Sequence, residues 1–205
     1  MTAEDTIRTQ RLEITDRKGR TRIVMTGDEE GKPTFAVKGS NGATRCHIGI
    51  NPRGAAGLSL SDVEGRERAE LSVDANGRTR VMLADGHKER RVKLLVDRDG
   101  SARLELCDGH GVSRACLAVD EEGLPQLLLS NDAGGAQAVV TLNSEGTPDM
   151  RLLDRQGNKR AQFGPGRLEL YDEQEKPRAY LWIYADGAPK IELLSEDGRT
   201  VWSAP

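Results

Sequence analysis

The sequence has few aromatic residues, and its charges are not segregated. Phe, Trp and Tyr make up 3% of the 205 residues, which removes the stacking platforms on which proteins hold single-stranded nucleic acids. The 30 basic and 33 acidic residues are interspersed along the chain, so no basic stripe is available to neutralise phosphates. We therefore expect no nucleic-acid partner.

The sequence also lacks long apolar runs and has few cysteines. The N-terminal segment MTAEDTIRTQ has neither the basic nor the apolar region of a signal peptide, and no stretch approaches a membrane-spanning length. The cysteines, Cys46, Cys107 and Cys116, are an odd and sparse set for a disulfide-stabilised secreted scaffold. We therefore expect a cytoplasmic protein without a membrane partner.

What the sequence does have is a period of 23 residues. An arginine column with this step contains Arg22, Arg45, Arg68, Arg91, Arg114, Gln137 in the sixth place, and Arg160. A first glycine column contains Gly31, Gly54, Gly77, Gly100, Gly123 and Gly146, and a second contains Gly42, Gly65, Lys88, Gly111, Gly134 and Gly157. Self-similarity at such a step is typical of a repeat architecture.

Each repeat predicts two β-strands. In one repeat, apolar Ala115, Leu117 and Val119 alternate with polar or small residues, and Leu127 and Leu129 do the same after the glycine. Alternation at period two indicates strands with one apolar and one wet face. The fold class is therefore all-β, with about eight tandem two-strand repeats. No stretch carries a helical pattern long enough to compete.

Turn chemistry favours an antiparallel meander of hairpins. The segment Asp120-Glu121-Glu122-Gly123 suits a three-residue hairpin loop with glycine in the left-handed position. An odd period keeps one face apolar only if the other loop, such as that at Asp154-Arg155-Gln156-Gly157, has two or four residues. The alternative is a parallel two-sheet β-solenoid, in which each repeat is one coil and parity imposes no such condition.

The two geometries differ in how they cover the apolar face. A one-layer meander offers only a few inward side chains per repeat, and burying them contributes too little to offset the backbone entropy of folding. Packing identical chains face to face around an axis would cover the face. We therefore expect the meander to form a β-prism or fibre-like homo-oligomer, preferably a homotrimer, whereas the solenoid could be monomeric.

The period breaks once. The copy between Ala161 and Arg178 is five residues short, with Phe163-Gly164-Pro165-Gly166 in place of a longer strand end and turn. This predicts a tightened hairpin, a kink or the start of a cap within one β-repeat domain of residues 1–205. Its expected parts are a partial repeat (1–21), regular repeats (22–159) and an aromatic-rich C-terminal cap (160–205).

The repeat unit D-x-x-G-x-x-R-A-x-L followed by G-x-P-x-L-x-L resembles that of a group of bacterial tandem-repeat proteins without an assigned activity. The residues that carry the resemblance are Asp108, Gly111, Arg114, Ala115, Leu117, Gly123, Pro125, Leu127 and Leu129. The resemblance implies a bacterial source and a non-enzymatic repeat. MORN repeats have a similar hairpin layout, but this chain lacks their tyrosine-glycine-aromatic core.

Catalytic and metal-binding patterns are weak. The acidic turn Asp97-Arg98-Asp99-Gly100 suggests calcium, but the corresponding turns do not maintain a ligand set. Cys107, His110 and Cys116 provide no matched second pair for zinc. No nucleophile elbow, P-loop or dinucleotide fingerprint occurs. We expect no enzyme activity and no cofactor.

The leading functional prediction is a structural repeat protein, an elongated β stalk, fibre or spacer. The alternative is a binding module for a protein or polysaccharide, and two groups of residues are candidates for its site. One is the aromatic cluster of Tyr171, Tyr180, Trp182, Tyr184 and Trp202. The other is the arginine column, which Arg178 continues after the break; the plainer interpretation of that column is a solvated ladder of ion pairs.

Overall fold

The computed structural model describes residues 6–27, 32–51 and 53–205, and all regular secondary structure in them is β-strand. Of the predicted turn residues, Gly31 lies outside the described residues, as does the start of the expected N-terminal partial repeat. The chain divides into two compact units, Met1–Arg98 and Asp99–Pro205.

Strands β1 to β8 form the first unit. Their bounds are β1 (Arg11–Thr15), β2 (Thr21–Gly27), β3 (Pro33–Lys38), β4 (Thr44–Ile50), β5 (Ala56–Ser61), β6 (Glu67–Val73), β7 (Thr79–Ala84) and β8 (Arg90–Val96). Each strand is antiparallel to the next along the chain.

Strands β9 to β18 form the second unit. Their bounds are β9 (Ala102–Cys107), β10 (Ser113–Val119), β11 (Pro125–Ser130), β12 (Ala136–Leu142), β13 (Pro148–Leu153), β14 (Lys159–Gly164), β15 (Arg167–Tyr171), β16 (Pro177–Ile183), β17 (Pro189–Leu194) and β18 (Thr200–Ala204). Sequential antiparallel pairing confirms the meander within each unit, in place of the parallel coils of the alternative.

The first loop of the repeat has three residues, as predicted. The amide N of Asp120 donates to the carbonyl O of Leu124 at 3.2 Å, and the amide N of Gly123 donates to the carbonyl O of Asp120 at 3.1 Å. Gly123 has a φ of 84°, a left-handed conformation that glycine adopts at little cost. The loop therefore closes as a tight turn followed by a left-handed residue.

The second loop is also a three-residue loop, so the prediction of two or four residues is wrong. The amide N of Asp108 donates to the carbonyl O of Val112 at 2.9 Å, and the amide N of Gly111 donates to the carbonyl O of Asp108 at 3.1 Å. Two three-residue loops by themselves would give each repeat an even number of residues, whereas the period is odd. One additional residue must therefore be accommodated elsewhere in each repeat.

That residue is a β-bulge at the arginine column. In the β9–β10 pair, Leu106 lies opposite Ala115 and Cys107 lies opposite Ser113, which leaves Arg114 without a partner across the ladder. The same one-residue shift occurs in every hairpin of this kind. The residues at this bulge position are Arg22, Arg45, Arg68, Arg91, Arg114, Gln137, Arg160, Arg178 and Val201. The arginine column therefore marks the bulge position, where an additional residue bends and twists its strand.

The break in the period is a tightened hairpin, one of the three predicted forms. Gly164 lies opposite Arg167, so only Pro165 and Gly166 remain in the loop between β14 and β15. Phe163 still lies opposite Leu168. The deletion thus shortens the strand ends and the turn without changing which side chains share a face.

The two faces of each unit differ in chemistry. In the second unit, one face carries a central row of paired apolar side chains: Leu104, Leu117, Leu127, Val140, Met150, Phe163, Leu168, Leu181, Ile191 and Ala204. We call this side the apolar face. The opposite side, the hydrophilic face, carries the row Glu105, Cys116, Leu128, Val139, Arg151, Gln162, Glu169, Tyr180, Glu192 and Ser203.

The first unit has the same two faces. Its apolar row is Leu12, Met25, Phe35, Ile48, Leu58, Leu71, Val81 and Leu94, and its hydrophilic row is Glu13, Val24, Ala36, His47, Ser59, Glu70, Met82 and Lys93. Val24, Ala36, Met82 and Val139, which are buried, lie on hydrophilic faces. Long charged side chains can cover small apolar residues with their stems. Burial in the single chain is thus greater under the charged faces than on the apolar ones.

The accessible surface reflects this arrangement. The chain exposes 13883 Å², whereas a folded monomer of its mass exposes about 9,400 Å² by the usual scaling. No large side chain among the described residues is fully buried. The apolar faces are therefore left uncovered by the chain itself.

Candidate interaction surfaces

The arginine column connects successive hairpins. Nε of Arg114 donates to the carbonyl O of Ser130 at 2.9 Å, at the end of the following strand. Nε of Arg68 donates to the carbonyl O of Ala84 at 2.9 Å, and Nε of Arg45 donates to that of Ser61 at 2.7 Å. Gln137 replaces an arginine and makes a similar bond one residue further along, from Nε2 to the carbonyl O of Asp154 at 2.8 Å.

The column also reaches the aspartates of its own turns. The closest nitrogen–oxygen distances are 2.7 Å for Arg178–Asp172, 3.3 Å for Arg91–Asp85, 3.4 Å for Arg114–Asp108, 3.6 Å for Arg68–Asp62 and 3.8 Å for Arg22–Asp16. Nη1 of Arg160 is buried without a hydrogen-bond partner among the described residues. These contacts give most members of the column a role within the sheet, in addition to the proposed role as a ligand-facing row.

The turn aspartates hold the loops together. Oδ1 of Asp108 accepts from the backbone N–H of His110 at 2.9 Å and of Val112 at 3.1 Å. The His110 bond is the larger cause of the lowered pKa of Asp108. Asn131 accepts the same pair of bonds in its turn. Repetition of Asp and Asn therefore follows from turn geometry, and no group of three His, Cys, Asp or Glu in the described chain is placed to hold a metal ion.

The candidate aromatic residues do not form one cluster. Tyr180 and Trp182 lie on the hydrophilic face, and the hydroxyl of Tyr171 donates to Glu169 on that face. Trp202 lies opposite Leu193 on the apolar face. The amide N of Tyr184 closes a turn by donating to the carbonyl O of Ala188 at 2.9 Å. The five aromatic residues are thus divided between the two faces and a turn.

The hydrophilic-face part is a compact aromatic patch, which we define as Tyr171, Tyr180 and Trp182. The rings of Tyr180 and Trp182 stack with centroids 4.4 Å apart and an interplanar angle of 17°. Nζ of Lys159 lies 4.1 Å from the centroid of the Tyr171 ring. Burial is the first cause of the raised pKa of the Tyr180 hydroxyl. Trp182 also lines a cavity of about 260 Å³ beside the tightened hairpin.

The apolar faces are the larger candidate surface. In the first unit, an open groove of about 640 Å³ lies over β2 to β6 and is lined chiefly by apolar side chains such as Met25, Phe35 and Leu58. In the second unit, exposed leucines include Leu117, Leu129 and Leu170. The sequence pattern identified these residues as one face, but it did not identify the order of large and small side chains across the strands.

Comparison with known proteins supports the fold. The geometry of each unit defines a single-layer antiparallel β-meander with two solvent-facing sides. The G-box domain of the microcephaly protein CPAP has this fold with a TM-score of 0.54 and 14% identity, over 89% of this chain and 98% of that domain. The TCP10 domain of Danio rerio CPAP, solved in complex with a STIL peptide, matches with a TM-score of 0.49 and 12% identity, over 95% and 98%.

At 14% identity, the likeness to the G-box domain shows the fold alone. No protein-family model matches the chain, and no curated protein matches it. The described part of the chain contains no helix that could span a membrane.

Proposed function

We propose that this chain is a non-enzymatic β-repeat scaffold that acts by assembling with protein over its apolar faces. The observation that carries the proposal is the exposure of large aliphatic side chains in both units, in strand after strand. Exposed patches of this extent mark interaction surfaces in proteins that remain soluble. A stalk, fibre or spacer is the corresponding structural role.

The polar groups support a scaffold over an enzyme. The turn carboxylates bind their own backbone, and arginines bind neighbouring carbonyl groups, so these charges are used in the construction of the sheet. Catalysis generally needs one distinctive constellation in a cleft, whereas here similar contacts recur in several repeats. We include no cofactor in the proposal for the same reason.

Methionine oxidation tests the scaffold proposal. Met25 and Met150 lie on apolar faces and are 44% and 37% exposed, while Met82 on a hydrophilic face is 8% exposed. Peroxide converts accessible methionine to the sulfoxide, and mass spectrometry can follow each residue. In an extract of the cells that produce this protein, we expect Met25 and Met150 to be protected from oxidation. Oxidation there as fast as in a short unfolded peptide would contradict the proposal, with Met82 as the internal slow reference.

The aromatic patch supports a second candidate function, the binding of a protein or polysaccharide on the hydrophilic face. Tyr180 and Trp182 stack and present aromatic surface. The cross-strand neighbours of Trp182 are Arg167 and Lys190, and those of Tyr180 are Glu169 and Glu192. Aromatic rings flanked by hydrogen-bonding groups suit both kinds of ligand. Trp182→Ala and Trp202→Ala separate the two surfaces because the tryptophans lie on opposite faces. Loss of a captured partner only in Trp182→Ala, with unchanged melting, would favour this candidate.

A further inference from the structure

We infer that the apolar face of the second unit is the contact surface for a second copy of this chain, related by a two-fold axis parallel to the strands. The inference rests on the proposed scaffold function and names the partner. It proposes a face-to-face pair in place of the homotrimer expected from the one-sided apolar meander.

The inference comes from a row of alternating side chains beside the central apolar row. Directly paired residues in β9 to β17 are Leu106, Ala115, Leu129, Ala138, Leu152, Ala161, Leu170, Ala179 and Leu193. We call this the leucine–alanine row. Among β9 to β17, each odd-numbered strand contributes leucine and each even-numbered strand contributes alanine, whereas β18 contributes Trp202.

The alternation makes the surface corrugated. Leu129 is 47% exposed, whereas Ala161 is only 7% exposed between its leucine neighbours. Adjacent strands are about 4.8 Å apart, so leucine ridges recur about every 10 Å with a depression between them. A partner fits this surface well if it carries ridges at the same spacing.

A second copy carries that spacing by construction. A two-fold axis parallel to the strands reverses the strand order of the facing sheet but keeps each row opposite its own equivalent. If the axis passes between β13 and β14, every odd-numbered strand faces an even-numbered strand. Leu152 of one copy then faces the Ala161 position of the other, and four of the five leucines enter alanine depressions, while Leu106 in β9 faces Trp202 in β18. Because packed sheets cross at about 30°, the fit is closest for the strands near the axis.

The available area is sufficient. Ten strands spaced about 4.8 Å apart, with about 20 Å of length each, cover about 950 Å². A pair of such faces would bury about 1,900 Å², within the range of stable specific interfaces. The central and leucine–alanine rows contain no charged residue among the described strands β9 to β18, so the contact requires no burial of unpaired charge.

Light scattering during size-exclusion chromatography of the full chain is the first test. We expect twice the 22.4 kDa chain mass at micromolar concentrations. Leu129→Lys places a positive charge on a leucine ridge in each of the two copies. It should raise the dissociation constant of the pair at least 100-fold. Gln126→Lys adds the same charge on the hydrophilic face of the same strand and should leave the pair intact. A monomer, a trimer or equal behaviour of the two variants would overturn the inference.

Ala138→Leu tests the interdigitation itself. It adds apolar area but fills a depression, so it should weaken the pair by at least tenfold, whereas non-specific hydrophobic association would become stronger. Circular dichroism checks that each variant is folded. If the variants do not fold, oxidation of Met150 in the wild-type chain still decides the matter: the rate should fall as concentration rises through the dissociation constant, and a constant rate would overturn the inference.

The outcomes distinguish this inference from the proposed function. A purified monomer whose Met25 and Met150 are oxidised rapidly, but are protected in cell extract, would remove the second copy and retain the scaffold proposal. Rapid oxidation in both settings would remove both.

Discussion

Nε of Arg114 lies 2.9 Å from the carbonyl oxygen of Ser130. The bulge residue of one hairpin is therefore hydrogen-bonded to the end of a strand in the next hairpin. The bulge frees Arg114 from the ladder, and its side chain then provides a donor to a neighbouring backbone acceptor. The repeat thus uses one residue both to correct its parity and to join consecutive hairpins.

Arg114→Ala should lower the free energy of unfolding by about 1 kcal/mol, because a carbonyl loses its hydrogen bond. Arg114→Gln should recover part of that loss, since Gln137 donates to a backbone carbonyl of the following hairpin in its own repeat, one residue further along. Urea denaturation followed by circular dichroism measures both. Equal losses in the two variants would show that the charge of Arg114, which is 3.4 Å from Asp108, matters more than the bond.

Asp62 should make the stability of the folded chain depend on pH in the acidic range. Burial raises the pKa of Asp62, but hydrogen bonds from the Arg66 side chain and backbone outweigh it and bring the pKa from its usual 3.8 to about 2. A lowered folded-state pKa means that the unfolded chain takes up the proton first. The contribution of Asp62 is therefore complete above about pH 4 and is lost as pH falls toward about 2.

Asp62→Asn isolates that contribution. Asparagine forms the same turn bonds at Asn131 but does not titrate. The midpoint of urea unfolding should fall less steeply between pH 4 and pH 2 in Asp62→Asn than in the wild-type chain. Parallel pH profiles would contradict the assignment of part of the acid sensitivity to Asp62.

Lys88 should carry avoidable backbone strain. It occupies a position of the second glycine column with a φ of 71°, a conformation that costs a non-glycine residue about 1 kcal/mol. Lys88→Gly should therefore raise the melting temperature by a few degrees. Gly111→Lys, the reverse change in the next repeat, should lower it, and the same sign in both variants would contradict the interpretation.

The tightened hairpin should tolerate restoration of its missing length. Phe163 and Leu168 keep the pairing that Val140 and Met150 have in the full-length repeat. Replacing Pro165-Gly166 by the seven residues that occupy positions 142–148 should therefore leave the melting temperature within a few degrees, because loop-closure entropy changes slowly with length. A large loss measured by calorimetry would show that the short loop has a specific structural role.

More of the fold than of the candidate site could be predicted from the sequence. Alternation at Ala115, Leu117 and Val119 predicts both the strands and their shared face, because a strand has a side-chain period of two. The Asp-to-Gly spacing predicts the first loop, since only a few turn types satisfy it. The second loop was mispredicted because its sequence is equally compatible with a following bulge, and a bulge is determined by pairing with another strand.

The candidate site depended more on tertiary structure. Trp182 and Trp202 are close in sequence and similar in chemistry, yet their strand registers place them on opposite faces. The aromatic signal alone does not contain that difference. The leucine–alanine row is likewise visible only when Leu129 and Ala138 are brought directly opposite each other.

The sequence by itself determined the repeat, the all-β class, the turns and the separation of apolar from polar side chains, because these depend on interactions between residues close together in the chain. Only the tertiary structure decided that Arg114 is a bulge residue and that Leu129 and Ala138 form part of one corrugated surface. The physical reason is that a one-residue shift in strand pairing changes every side-chain neighbour across the sheet, and that shift is determined by the pairing of the strands.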